Sequence, residues 1–269
     1  MKITTLMENT ASAECYTAEH GLSIYIETKN HVILFDSGAS GAFADNAEKL
    51  GVDLGNVEMA VLSHGHYDHG GGLLRFMEKN KTAPIFMSAC AFEPHLKNGG
   101  AEDIGLNPAI ACARQIRLIK EETRLAEGIT LYNCNDRELV CPIDTSGMLV
   151  KRNGVLYPED FRHEQYLLIE EDGRRILFSG CSHKGILNIA SWFRPDVLVG
   201  GFHFMGVPLD DAGKKRLTEA AKILCSYPTV YYTGHCTGVE QYQFMKQLMG
   251  DRLRYIAAGS RVELQPLKK

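Results

Sequence analysis

At 269 residues, 45% hydrophobic and 23% charged, the chain has the composition of a globular protein with a substantial core, and its length fits one large domain or two small ones. A net charge of −4 with acids and bases interspersed leaves no basic groove, so nucleic-acid binding has no support, and no apolar run is long enough to span a membrane. The chain opens without a charged and apolar leader, and its eight cysteines are scattered with no C-x-x-C pair, which together predict a cytoplasmic protein with reduced thiols.

In chain order, a strand-like start at residues 2–6 is followed by short apolar runs at 22–27 and 32–35. These flank Lys29-Asn30 and read as a hairpin. Residues 41–50 predict a helix, with Ala42, Phe43, Ala47 and Leu50 on one face and Ser40 as its N-cap. Residues 59–62 are wholly apolar, as in a strand buried on both faces. That run leads straight into Ser63-His64-Gly65-His66-Tyr67-Asp68-His69, and 73–79 reads as the helix beyond. The stretch 88–160 is the least regular, predicting strands interrupted by long loops of the kind that contact substrates. Residues 165–170 and 175–179 form a second hairpin around Asp172-Gly173. Buried strands follow at 196–199 and 229–232, with helices at 214–225 and 239–249. There is no linker, composition break or nameable repeat, so 1–269 reads as a single domain.

The chemistry concentrates after the strand at 59–62. On extended backbone alternate side chains share a face, so His64 and His66 can grip one metal together, while Asp68 and His69 fall where the chain turns and can face a neighbouring position. Three imidazoles and a carboxylate suit zinc first, with iron or manganese as alternatives. Gly65 and the glycines at 70–72 give the backbone freedom to gather these groups. A His-rich surface turn is the bland alternative, and four ligand groups at this spacing outweigh it.

The pattern His64-x-His66-x-Asp68-His69 after a buried strand resembles the signature of the metallo-β-lactamase superfamily. The resemblance implies an α/β (α+β) fold, a four-layer αββα sandwich, with two divalent metal ions at one edge of the sheets. It assigns Gly234-His235 to the late Gly-His motif and Asp36 to a hydrogen bond that holds a ligand histidine or the motif's backbone. Where the family usually carries Ser/Thr-Gly-Asp, this chain reads Ser179-Gly180-Cys181-Ser182-His183. The bridging aspartate is absent, so either His183 (the favoured reading) or Cys181 completes the metal set. The family's Gly-His-Thr motif is missing too. His163 falls near its place, with a surface-loop histidine as the alternative. His66 stands where redox-active members carry Glu, which argues against that branch. His203, after another buried strand, is expected near His235, as a phosphate binder or proton donor against the alternative of a core histidine. His20 is a weaker candidate for the cleft, and His31 and His95 read as ordinary loop residues.

The segments around Glu19-His20-Gly21, Cys181, His203 and Gly234-His235-Cys236-Thr237-Gly238 are similar to those of 7,8-dihydropterin-6-methyl-4-(β-D-ribofuranosyl)-aminobenzene-5′-phosphate synthases. These enzymes condense a pterin pyrophosphate with a ribosyl-aminobenzene phosphate. The expected function is hydrolysis of a small ester, phosphorylated or not, such as a phosphodiester or lactone by metal-activated water, with Asp68 orienting the water and His203 assisting the leaving group. The pterin-transferring synthase and a non-catalytic metal-bound sensor are the alternatives. The missing export signal argues against a true β-lactamase, and the missing Gly-His-Thr motif against glyoxalase II. An oligomer is compatible with the sequence.

Overall fold

The computed structural model describes residues 1–266. Its strands in chain order are β1 (Lys2–Met7), β2 (Ser23–Glu27), β3 (Val32–Phe35), β4 (Met59–Val61), β5 (Ile85–Ser88), β6 (His95–Lys97), β7 (Glu102–Asp103), β8 (Ile116–Ile119) and β9 (Thr123–Ala126). They continue as β10 (Ile129–Tyr132), β11 (Leu149–Arg152), β12 (Val155–Pro158), β13 (Tyr166–Glu171), β14 (Arg174–Phe178), β15 (Val197–Val199), β16 (Val230–Thr233), β17 (Leu253–Tyr255) and β18 (Arg261–Glu263). The helices are α1 (Ala42–Lys49), the single turn α2 (Tyr67–Gly70), α3 (Leu73–Lys79), α4 (Ile186–Phe193), α5 (Asp211–Cys225) and α6 (Val239–Met249). Among the described residues, no helix is long and apolar enough to cross a membrane.

Two seven-stranded sheets, ordered β18-β1-β2-β3-β4-β5-β8 and β17-β16-β15-β14-β13-β10-β9, form the centre, and a four-stranded sheet β12-β11-β6-β7 stands apart. The short strands are apolar on both faces because each face has its own layer to meet. Ile33, Phe35 and Val61 of the first sheet join Ile176, Phe178, Val197 and Val199 of the second in one core cluster, where Phe35 and Phe178 meet with ring centroids 5.7 Å apart. The intervening residues face outward: Leu34, Ala60 and Ile85 pack with Phe43, Ala47 and Phe76 of α1 and α3. Leu177, Leu198 and Tyr231 pack with Ile189, Leu217 and Met245 of α4, α5 and α6. Three apolar interfaces between four layers are what an αββα sandwich requires.

In both sheets an antiparallel hairpin passes into parallel strands: β3, β4, β5 and β8 in one, β14, β15, β16 and β17 in the other. Parallel strands end at a common edge, and loops beyond those ends are where such sheets place ligands. Asp36, His64, Cys181, His203 and His235 all lie just past such ends.

The structure departs from expectation in three places. Gly41, not Ser40, occupies the N-cap of α1, although the Ser40 hydroxyl still accepts the Ala42 N–H at 3.2 Å while donating to Glu19 Oε2 at 2.6 Å. α5 starts three residues before the expected 214, where Asp210 accepts the Gly213 N–H at 2.8 Å and caps it. Helix α4 had no counterpart in the sequence reading.

Candidate metal centre

Asp36 follows β3 with φ of +60°, a conformation uncommon outside glycine that aspartate, asparagine and histidine adopt most readily among the rest. Its carboxylate collects three donors: Ser63 N at 2.7 Å on Oδ1, and Ser63 Oγ at 2.8 Å and His69 Nδ1 at 2.7 Å on Oδ2. A carboxylate only accepts, so His69 carries a proton on Nδ1 and turns Nε2 inward. Ser63 Oγ, having donated to Asp36, accepts from His64 Nδ1 at 2.8 Å. His64 therefore also presents Nε2. His235 sits at φ of +48° beyond β16. Its Nδ1 lies 2.8 Å from Asn9 Oδ1, and its backbone N–H is held by the buried Glu8 carboxylate.

These constraints aim ring nitrogens at one another. His69 Nε2 lies 3.1 Å from both His235 Nε2 and Cys181 Sγ. Asp68 Oδ2 is 3.1 Å from His235 Nε2 and 3.6 Å from His69 Nε2. Asp68, His69, Cys181 and His235 are all buried and form one compact ligand group. A second group joins His64, Cys181 and His183, and a third His64, His66 and Asp68, with His64 and His183 facing through Nε2 at 3.2 Å. Tetrahedral zinc with nitrogen ligands has ligand–ligand edges of about 3.3 Å. Converging donor atoms at this spacing repel unless a proton or a metal ion lies among them. The donor set therefore fits a divalent metal, and Cys181 belongs to two of the groups.

The electrostatics agree. Burial, reinforced by the neighbouring imidazoles, holds His64 and His183 well below the usual histidine range, so both are neutral donors at pH 7. Burial opposes charge on His69 too, yet Asp36 and Asp68 raise it to about 9. The same two carboxylates would draw a metal ion. Burial lifts Asp68, but His69, His235 and His66 outweigh it and hold the carboxyl well below its ordinary range. Burial and the adjacent Cys236 push the Cys181 thiol well above its usual value, so a thiolate there needs a cation to form.

Both Cys181 and His183, left as alternatives by the sequence, enter the centre. Phe161 stacks on His183 with centroids 4.6 Å apart, and Glu164 accepts the His183 N–H at 2.6 Å. His163 is no surface-loop residue: it is buried, and its Nδ1 accepts the Gly65 N–H at 2.8 Å. His95 corrects the reading as an ordinary loop residue, since it is buried in β6 and paired with Glu159 at 2.7 Å. His203, at φ of +57°, stands with its ring 4.4 Å from His183. His20 reaches Asp68 Oδ2 at 3.4 Å. His31 pairs with Glu58 at 2.7 Å, outside this cluster. Glu8, Asn9, Glu159 and Glu164 had escaped notice; no local pattern marks an isolated acid whose partner lies far along the chain.

The centre opens into a cavity of about 400 Å³ whose walls include His20, Asp68, Lys97, His203 and Arg216. Past His183, His203, Asp144 and Arg216 lies a second chamber of about 300 Å³, lined by Phe202, Phe204, Ile186 and Ile223 among others.

Fold and centre together define a metallo-β-lactamase-type protein, and the family model described as the metallo-beta-lactamase superfamily matches residues 16–89. The 7,8-dihydropterin-6-methyl-4-(beta-D-ribofuranosyl)-aminobenzene-5'-phosphate synthase of Methanocaldococcus jannaschii is 30% identical over 277 aligned positions, covering 93% of this chain and 92% of that protein. The chain belongs to the metallo-β-lactamase superfamily. An uncharacterised protein of the same organism is 27% identical over 91% of this chain and 94% of its own length. The crystal structure of Tm1679, described as a metal-dependent hydrolase of the beta-lactamase superfamily, matches with a TM-score of 0.77 and 26% identity, covering 98% of this chain and 99% of that one.

Proposed function

We propose that the protein is a metal-dependent hydrolase acting on a small anionic ester, a phosphodiester or a lactone. The observation that carries this reading is the convergence of His64, His69, Cys181, His183, His235 and Asp68, of which Asp68, Cys181 and His183 line an open cavity. In this reading His64, His66 and His183 hold one divalent cation and Asp68, His69 and His235 a second, with Cys181 within reach of both. Such cations, zinc first, supply water of pKa near 7 in place of about 15.7 and polarise the ester oxygen.

The chain's own residues do the rest. The Asp68 carboxylate, kept ionised, accepts a hydrogen bond from the attacking water and orients it. Burial lowers His203, so at pH 7 it offers the leaving oxygen a neutral N–H rather than a positive charge. Lys97 and Arg216 line the cavity, paired with Glu102 at 2.9 Å and Asp144 at 3.0 Å. Such exposed pairs are weak, and an anionic substrate can take the place of their carboxylates.

The test combines metal analysis with a panel of bis(p-nitrophenyl) phosphate and acyl lactones. Metal-dependent turnover is expected, lost together with bound metal in His66→Ala and Asp68→Ala. Full activity in both variants, or no turnover by the fully metal-loaded protein, would overturn the reading; the second outcome would point to a metal-bound sensor. A second reading, a pterin-transferring synthase, is favoured by the 30% identity to the Methanocaldococcus enzyme across 93% of this chain. A condensation product from a pterin pyrophosphate and a ribosyl-aminobenzene phosphate, detected by mass, would establish it.

A further inference from the structure

Behind His66 lies a cluster that stands apart from the cavity. His66, His95 and His163 each place a ring nitrogen within 4.8 Å of the other two, and the Nε2 atoms of all three are buried without a hydrogen-bond partner. Unpaired buried polar atoms are uncommon, so three together ask for one shared explanation.

Their protons can be assigned. His95 Nδ1 lies 2.7 Å from Glu159 Oε2, so its proton is on Nδ1 and Nε2 holds a lone pair. His163 is the reverse: its Nδ1 accepts the Gly65 N–H at 2.8 Å, which puts its proton on Nε2. His66 lines the cavity while its Nε2 is sealed away, so Nδ1 is the nitrogen that faces the metal side. A third cation among the three is ruled out by this count, because neutral His163 has no lone pair left to give.

We propose that Glu159, His95 and His163 act through one buried water to hold His66 as its Nε2–H tautomer, which keeps the Nδ1 lone pair directed at the metal centre. Three ring nitrogens within 4.8 Å of one another enclose a point at most about 2.8 Å from each, which is a hydrogen-bond distance. A water there accepts from His66 and His163 and donates to His95, and every orphaned atom gains a partner. The anchor is firm: Glu159 Oε1 accepts the backbone N–H groups of Asp160 at 3.1 Å and Phe161 at 3.0 Å. His95 and His163 stack with centroids 3.8 Å apart. Neither these two nor Glu159 lines the cavity, so they are positioning residues. The inference rests on His66 being a metal ligand.

Long-range 1H–15N correlation of the histidine-labelled, metal-free protein reads the tautomers without any variant. His66 and His163 are expected as Nε2–H and His95 as Nδ1–H; His66 found as Nδ1–H overturns the proposal. In Glu159→Leu, zinc affinity measured against a chromogenic chelator is expected to fall about ten- to hundredfold as His66 becomes a mixture of tautomers. Glu159→Gln, which still accepts a hydrogen bond, is expected to restore most of it. Unchanged affinity and tautomer in Glu159→Leu would sink the idea, as would an additional zinc held by the wild type and lost in His95→Phe. Failure of the ligand reading shows separately, as undiminished zinc uptake by His66→Ala.

Discussion

His69 stands between two carboxylates, Asp36 at 2.7 Å on Nδ1 and Asp68 at 3.6 Å on Nε2, and its raised value of about 9 means that a proton occupies it at pH 7 when no metal does. The Cys181 thiol, pushed up by burial, is protonated as well. Cation uptake must displace both protons, so apparent affinity is expected to climb as pH rises toward 9. Isothermal titration with zinc at pH 7 in buffers of different ionisation heat counts the protons released. Cys181→Ser is expected to release about one fewer, and an unchanged count would show that Cys181 does not bind as thiolate. The stability of the metal-free protein has the opposite slope. A raised folded-state value stabilises fully below the unfolded pKa of about 6.5 and is lost as pH passes through about 9. Metal-free melting temperature should therefore fall over that window, while the loaded protein, with His69 held by the cation, should change less.

At the scale of elements, the path from β4 through α2 to α3 works because its glycines leave room for other backbone. A Cβ on Gly65 would stand 2.2 Å from Ala91 O, and one on Gly72 2.1 Å from Ser37 O. Neither contact can be relieved by moving a flexible side chain. Gly65→Ala is expected to cost about 1–3 kcal/mol and to displace His64 and His66, so calorimetry and metal analysis should both register the change. A variant with wild-type stability and metal content would show that the turn is more compliant than its contacts indicate. This turn was legible because strand, ligands and glycines follow one another locally; the two hairpins and α6 were legible for the same reason. Helix α4 was not: Ile186, Leu187, Ile189, Ala190, Trp192 and Phe193 make an apolar run of only eight residues, and so short a run reads equally well as a buried strand. The small sheet was hidden differently. Its β12 exposes Val155, Leu156 and Tyr157, so apolar residues there do not track burial.

For the whole molecule, the centre exists only where the two halves of the sandwich meet. Asp36, His64, His66, Asp68 and His69 come from the first sheet's loops, whereas Cys181, His183, His203 and His235 come from the second's. His69 and His235 are 166 positions apart, and Glu8 reaches His235 across 227, distances over which no spacing rule in the sequence operates. The resemblance to a known family could supply His235 and Asp36, but not Glu8, Asn9, His95 or Glu159. The first chamber of the cleft likewise takes its walls from both halves, whereas the second is lined by residues 141–223 alone. Ile223→Trp, at the wall of the second chamber, is expected to raise KM for bis(p-nitrophenyl) phosphate severalfold while sparing a short-chain lactone; equal effects on both would mean that substrates stop at the first chamber. A cation held by ligands from both sheets also ties the halves together. At free zinc about a thousandfold above Kd this linkage is worth about 4 kcal/mol, or on the order of 10 °C in melting temperature for a chain of this size. Trp192, the single tryptophan, packs with the second sheet's outer cluster and reports that half, whereas far-UV circular dichroism reports both. Chelation is expected to lower the two transitions together and by the same amount. If the Trp192 transition stayed in place while the other moved, the metal would be bound by the first half alone, and the convergence of ligands across the sandwich would not describe the protein in solution.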